Sequence, residues 1–185
     1  MAGIRWVVPQ IAGLPLALAI VALAWGAPAW AAAPSGPSLR LGLGFHTSSG
    51  PGGDYDSNGF VLGGDYQLAV DSRLSLNPFV AVALGGTDDL REEPGVVHTQ
   101  LGVEGRLWLG NFYLGPHAGY MTQAVEGDTY ETDGSGPAYG LVLGLESPAG
   151  TYLEGRFVRA RDLDLGPRNE VDVKGLRLNL GYRFR

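Results

Sequence analysis

No cysteine occurs anywhere in the 185 residues. That excludes a disulfide scaffold, a thiolate metal centre, a cysteine nucleophile and a lipidated N-terminal cysteine. Basic charge is also short: 13 Lys and Arg stand against 19 Asp and Glu, for a formal net charge of -6. A nucleic-acid partner needs a basic patch to neutralise phosphates, so none is expected. Long apolar runs are missing after the first thirty residues, and the mean hydropathy is +0.04, so no ordinary bundle of membrane helices is indicated. Nor does any sustained 3.6-residue period appear beyond that point, which leaves no helix of consequence.

The first segment does have a pattern. Arg5 supplies a short positive region, and an Ala- and Leu-rich apolar run extends from Ile11 to Trp25, interrupted by Pro15. It leads to Ala29-Trp30-Ala31, a small-x-small sequence that suits signal peptidase. The run is shorter than the roughly 20 residues a spanning helix needs. The expectation is a signal peptide over residues 1–31, cleaved after Ala31, and one domain over residues 32–185.

That domain alternates with a period of two. Leu39, Leu41, Leu43 and Phe45 share one face of a first segment; Phe60, Leu62, Tyr66 and Leu68 share one face of a second. Six further segments follow, around Leu74–Leu84, Val97–Leu107, Phe112–Tyr120, Tyr139–Leu145, Leu153–Phe157 and Leu176–Phe184. A 180° period puts these side chains on one face of a pleated strand. The connections alternate in length. Ala69 to Ser72, Trp108 to Asn111 and Ser147 to Gly150 read as tight turns. Thr47 to Asn58, Gly85 to Gly95, Thr122 to Gly136 and Arg161 to Val173 read as long polar loops. Eight strands, three short turns and four long loops describe an all-β, closed, antiparallel up-and-down barrel. Short turns on one side of a membrane and long loops on the other are typical of barrels that span it.

Alternation alone suits a soluble barrel with an apolar interior equally well, and three features argue for the opposite orientation. The polar face is mostly small, with Gly42, Gly44, Gly63, Gly102, Gly115, Gly119, Gly140, Gly144 and Gly181 on it. Glycine weakens a solvated strand but relieves crowding in the lumen of an eight-stranded barrel. The charges on this face come in both signs: Arg40, Asp65, Glu104, Arg106, Glu146, Glu154, Arg156 and Arg177, four acids and four bases. Buried charges require partners, so these eight are expected to form a lumen charge network. Finally, aromatics bracket the aliphatic band. Phe45, Phe60, Tyr120, Tyr139 and Phe157 lie toward the long loops, and Tyr66, Phe112, Tyr182 and Phe184 toward the short turns. Such belts match the two lipid–water interfaces.

An open sheet edge is not viable in lipid, so the last strand must pair with the first. Pro78 and Pro116 each remove a ladder donor, and a bulge or the interface is expected to absorb the defect.

The segment from Leu176 to Arg185, ending Leu180-Gly181-Tyr182-Arg183-Phe184-Arg185, resembles the C-terminal strand that outer-membrane proteins present to the barrel assembly machinery. The stretches Leu76-Asn77-Pro78-Phe79-Val80-Ala81-Val82 and Phe112-Tyr113-Leu114-Gly115-Pro116-His117-Ala118-Gly119-Tyr120 resemble strands of the small OmpA-, OmpX- and OmpW-like eight-stranded barrels. The resemblance implies export and insertion by that machinery, with Leu180, Tyr182 and Phe184 as the insertion signal. It also implies outer-membrane lipid and lipopolysaccharide as surroundings. In that family the final residue is usually the aromatic, whereas here Arg185 follows Phe184.

Candidates for chemistry are few. His46 and Ser48 have a spacing seen in outer-membrane lipid A deacylases, but a serine nucleophile needs a base in reach and an orienting acid. His46 has inward parity, which is wrong for a lipid substrate. His98 and His117 also point inward, on different levels. The loops are acidic: Asp88 to Glu93 holds four acids, Glu126 to Asp133 four, and Asp162, Asp164, Glu170 and Asp172 follow. Oxygen donors of this kind suit divalent cations, although no EF-hand spacing is present. The expected function is a non-enzymatic outer-membrane barrel, without cofactor, that supports the membrane or makes contacts through its loops. A narrow solute channel is the alternative, and a lipid A hydrolase a further one.

Overall fold

A computed structural model describes residues 33–50, 53–87, 95–126, 131–164 and 170–184. They form eight strands: β1 (Gly36–Gly50), β2 (Gly53–Ala69), β3 (Leu74–Gly86), β4 (Gly95–Leu109), β5 (Phe112–Glu126), β6 (Glu131–Glu146), β7 (Thr151–Asp164) and β8 (Glu170–Arg183). Each pairs antiparallel with the next, and β8 returns to β1 from Ser38↔Arg183 to Ser49↔Asp172, closing the barrel. Closure satisfies the backbone donors and acceptors of the outermost strands without help from water.

The pleat sorts side chains into two populations. Leu41 is 60% exposed and Leu101 65%, while Arg106, Arg156, Arg177 and Arg183 are 0% exposed. The aliphatic residues therefore face outward and the guanidinium groups inward, the reverse of a water-soluble barrel. Phe45, Phe60, Tyr120, Tyr139 and Phe157 are exposed on the outer face toward one end, and Tyr66, Tyr182 and Phe184 toward the other.

The short turns lie where the sequence indicates. In the first, the Asp71 carboxylate accepts from the backbone N–H of Arg73 (2.6 Å) and of Leu74 (2.8 Å). The other two turn on Gly110 (φ 69°) and Gly150 (φ 92°), left-handed conformations that glycine adopts without a Cβ clash. Below the barrel, the Ala33 N–H donates to the Ser72 carbonyl (3.2 Å), and Ala33 packs with Trp108, Tyr113 and Val142.

The long connections are shorter than the sequence suggests. The β1–β2 ladder runs to Gly50↔Gly53, so most of Thr47 to Asn58 is strand. The β5–β6 ladder runs to Glu126↔Glu131, and β7–β8 to Asp164↔Glu170. Apolar alternation stops where the wall leaves lipid, but ladder hydrogen bonds need no apolar side chain and continue beyond it. Strands of 13 to 17 residues exceed the roughly 9–11 that cross a bilayer, so the wall projects past it on this side.

Neither proline sits in a bulge. Between β2 and β3 the pairing lapses from Asp65↔Phe79 to Leu68↔Leu76 and resumes in the same register, leaving Pro78 opposite the gap. Pro116 lies in an equivalent gap between Glu104↔His117 and Leu107↔Leu114. Each missing donor is thus absorbed by a two-residue interruption of one ladder, while the other side of each proline stays paired. The register shifts lie elsewhere, on β7: between Ala160 and Leu163 toward β8, and opposite Ser135/Ala138 toward β6. Asp162 there has φ 52°, and its N–H donates to the Asp172 carboxylate (3.2 Å). Such a bulge at the rim of a barrel bends the strand locally.

The β1–β8 seam leaves no room at Gly42, where an added Cβ would strike the Leu178 carbonyl and reach 2.8 Å from the Asn179 Cα. Overpacking of this kind costs on the order of 1–3 kcal/mol. Gly42→Val is expected to shift a large share of the refolded protein from the fast-migrating, unboiled gel band to the unfolded position. Wild-type mobility in the variant would show that the seam can yield.

Candidate functional site: the barrel lumen

The inward face is layered along the axis. Nearest the short turns, Arg183 Nε donates to Glu146 Oε2 (3.1 Å), and Arg183 Nη1 donates to Asp65 Oδ1 (3.2 Å). Asp65 is a hub. Its Oδ2 accepts from Arg40 Nη1 (3.1 Å), from Arg106 Nη2 (3.3 Å) and from the Ser38 hydroxyl (2.7 Å).

Glu154 is a second hub one level further in. It accepts from Arg106 Nη2 (3.2 Å), Arg156 Nη2 (3.2 Å), the Tyr113 hydroxyl (3.0 Å) and Asn179 Nδ2 (3.3 Å), and Arg40 Nη1 lies 3.8 Å away. Glu104 pairs with both Arg106 and Arg156. Rings fill the remaining space: Arg156 lies 4.5 Å from the Phe79 centroid and Arg106 4.5 Å from that of Tyr113. Desolvating an ion costs several kcal/mol, which only multiple charged hydrogen bonds offset. Every carboxylate here has at least one arginine, and three of the four have two or more.

The geometry has a local origin. Glu104-Gly105-Arg106 on β4 and Glu154-Gly155-Arg156 on β7 are the same tripeptide, and i and i+2 point to one face of a strand. β4 and β7 stand three strands apart around the wall, so the two Glu-x-Arg units meet across the lumen and exchange partners. This repeat is visible in the sequence as a candidate for cross-lumen pairing.

Seven of the eight charges expected to form a network are joined in this way. Arg177 is not: among the described residues no carboxylate lies within ion-pair distance of it. Its Nε donates to His46 Nε2 (3.2 Å) and its Nη1 to Gln100 Oε1 (3.0 Å). Arg183, absent from the expected set, stands in its place at the opposite end. Inward parity alone identifies Arg183, but it lies between the two aromatics of the C-terminal signal, which draw attention to the outer face. The expected balance of four acids and four bases is therefore four acids and five arginines.

His46 and Ser48 are not brought together as a hydrolytic pair. The His46 ring stacks on His98 (centroids 4.4 Å apart, 16° between planes), and the Ser48 hydroxyl donates to Gln123 Oε1 (3.1 Å). Both are buried in the lumen, away from lipid. His117 sits apart from His98 and bonds the Phe157 carbonyl through Nε2 (2.9 Å). No group of three potential metal ligands occurs among the described residues. Leu180, Tyr182 and Phe184 face outward at the end of β8, with the two rings edge to face at 5.2 Å. Of the acidic loop residues, Asp88, Asp89, Glu92, Glu93 and Asp128 lie outside the described residues. Glu126 and Asp133 lie on strand ends, in register with Glu131 and Ala124.

A family model described as "Outer membrane protein beta-barrel domain" matches residues 16–184. No curated protein matches the chain. Among solved structures, Ail, the attachment invasion locus protein of Yersinia pestis, in complex with the heparin analogue sucrose octasulfate, superposes with a TM-score of 0.60 at 16% identity. The match covers 82% of this chain and 100% of Ail. Neisserial surface protein A superposes with a TM-score of 0.59 at 11% identity, over 81% of this chain and 98% of its own. At these identities the likeness is one of fold.

Proposed function

The chain belongs to the outer-membrane protein β-barrel family and resides in the bacterial outer membrane, and from that premise we propose that it is a non-enzymatic, non-conducting barrel whose work is done at its outer rim. The observation that carries this reading is the pair of carboxylate hubs. Asp65 and Glu154 draw Arg40, Arg106, Arg156 and Arg183 across the lumen from β1, β4, β7 and β8. A water-filled pore keeps its charges apart and hydrated; here they neutralise one another, and a solute would have to break several buried ion pairs to pass.

Planar bilayers test the proposal. Reconstituted wild-type barrels are expected to show no steady single-channel conductance. Steady unitary steps would overturn the plug and favour the narrow solute channel.

The rim is the part left for contact. Ail has been solved with a sulfated sugar, but here the rim is acidic, with Asp54, Asp56, Glu126, Asp133, Asp162, Glu170 and Asp172 on or near strand ends. A polyanion is repelled by such a surface, whereas divalent cations can bridge it to anionic lipopolysaccharide. On the outer wall, Arg159 and Lys174 are neighbours in the β7–β8 ladder, one step beyond the Phe157 and Leu176 band, a position that suits lipid phosphates. Delivery to this membrane follows from cleavage after Ala31, with Leu180, Tyr182 and Phe184 read by the assembly machinery on the exposed face of β8.

A further inference from the structure

Five arginines and four carboxylates are buried in the described lumen, and the unmatched cation is Arg177. Among the described residues its surroundings supply no carboxylate. His46 accepts the Arg177 Nε–H through Nε2 and so is a neutral ring with its proton on Nδ1. The charged groups acting on Arg177 from neighbouring strands are Arg40 of β1 and Arg156 of β7, both cations. An isolated buried charge is costly enough that native structures pair it or give it a counter-ion.

The same layer holds donors without acceptors. Among the described residues Arg177 Nη2 has no hydrogen-bond partner, and neither ring nitrogen of His98 has one, although Arg177 is 0% exposed and His98 1%. These groups are adjacent, since His98 stacks on the imidazole that Arg177 holds. Glycines make room for the His46 imidazole itself. A Cβ at Gly44 would fall 2.8 Å from His46 Cε1, and one at Gly175 would fall 3.0 Å from His46 Nε2. One excess positive charge, an orphan guanidinium N–H and an imidazole able to present an N–H are the requirements of a site for a single small anion.

We propose that the lumen layer formed by Arg177, His46, His98 and Gln100 binds one monovalent inorganic anion of halide size, held by Arg177 Nη2 and a ring N–H of His98. The ion completes the charge balance of the interior and is enclosed when the barrel closes. The site is separate from the conductance question, since a plugged lumen can hold a trapped ion or only water.

The test uses the full-length barrel refolded in detergent with bromide as the only small anion, so that the ion is present as the strands close. Crystals of that material are expected to show an anomalous difference peak within hydrogen-bonding distance of Arg177 Nη2, and Arg177→Met is expected to lose that peak while keeping any surface bromide. Water-like density without anomalous signal in the wild type overturns the site. A second readout needs no crystals. At constant ionic strength the wild-type thermal unfolding midpoint is expected to rise as chloride replaces gluconate, because a ligand bound only to the folded state stabilises it. If Arg177→Met does not fold, His98→Phe keeps the charge, removes one donor and is expected to need several-fold more chloride for the same rise. A wild-type midpoint independent of chloride counts against the proposal as directly as an empty lumen.

Discussion

Glu154→Leu is expected to destabilise the barrel by about 3–5 kcal/mol, the usual cost of removing one partner from a buried ion pair. Glu154 accepts from Arg106, Arg156, Tyr113 and Asn179 and lies close to Arg40. Its loss leaves Arg156 with Glu104 alone and Arg40 with Asp65 alone. The measurement is urea unfolding in lipid vesicles, followed by the fluorescence of Trp108, the single tryptophan after residue 30 and one that donates to Ser75 inside the lumen. The double variant Glu154→Leu/Arg156→Leu is expected to recover much of the loss, because it removes a charge of each sign. A single-variant effect well below about 1 kcal/mol would mean that water already screens the lumen, and the plug would be abandoned.

Leu141→Arg should cost roughly 2–4 kcal/mol, the penalty for a cation on the lipid face near the bilayer midplane. Leu141 lies mid-strand on β6, 60% exposed, between Pro116 on β5 and Phe157 on β7. In a soluble barrel the same change would add a solvated charge and be almost neutral. The internal control is Ser49→Arg at the end of β1, on the same outward parity but beyond the aromatic belt, where the effect should fall to about 0–1 kcal/mol. Equal effects at the two positions would contradict the placement of lipid around the aliphatic band. Both variants are read by the urea midpoint at which the fast-migrating band is lost.

The wall of the barrel was legible because its code has a period of two. Leu39, Leu41, Leu43 and Phe45 report one face, and Arg40, Gly42 and Gly44 the other, without knowledge of any partner strand. Strand ends were less legible. Ser49 and Asp54 pair in a ladder that the sequence presents as loop, since outside lipid the outer face turns polar and the alternation fades while the hydrogen bonds continue. The prolines are only partly legible for a related reason. The sequence points to a bulge or the membrane interface at Pro78 and Pro116; in place of a bulge, a two-residue lapse in one ladder omits the missing donor at no change of register, and the bulge forms at Asp162.

Inward orientation of Arg40, Asp65, Glu104, Arg106, Glu146, Glu154, Arg156 and Arg177 also came from parity. Their partners did not. Which charges meet depends on how far each strand is staggered around the closed wall, and that stagger is a property of the whole barrel. Two Glu-Gly-Arg units on β4 and β7 come to one level, Arg183 reaches Asp65, and Arg177 bonds one imidazole and one amide. The stack of His46 on His98 joins residues 52 positions apart through the same stagger, and no local motif announces it.

By itself, then, the chain's alternation determined which side chains face lipid, which face inward, how many strands there are and that the ends must join. These follow from local geometry and from the demand that backbone polar groups be bonded wherever water is excluded. Only the closed structure decided who pairs with whom inside, how far the wall rises beyond the membrane and which arginine has no carboxylate partner among the described residues. Those are distances across a lumen, set by tilt and stagger, and a linear pattern carries no record of them.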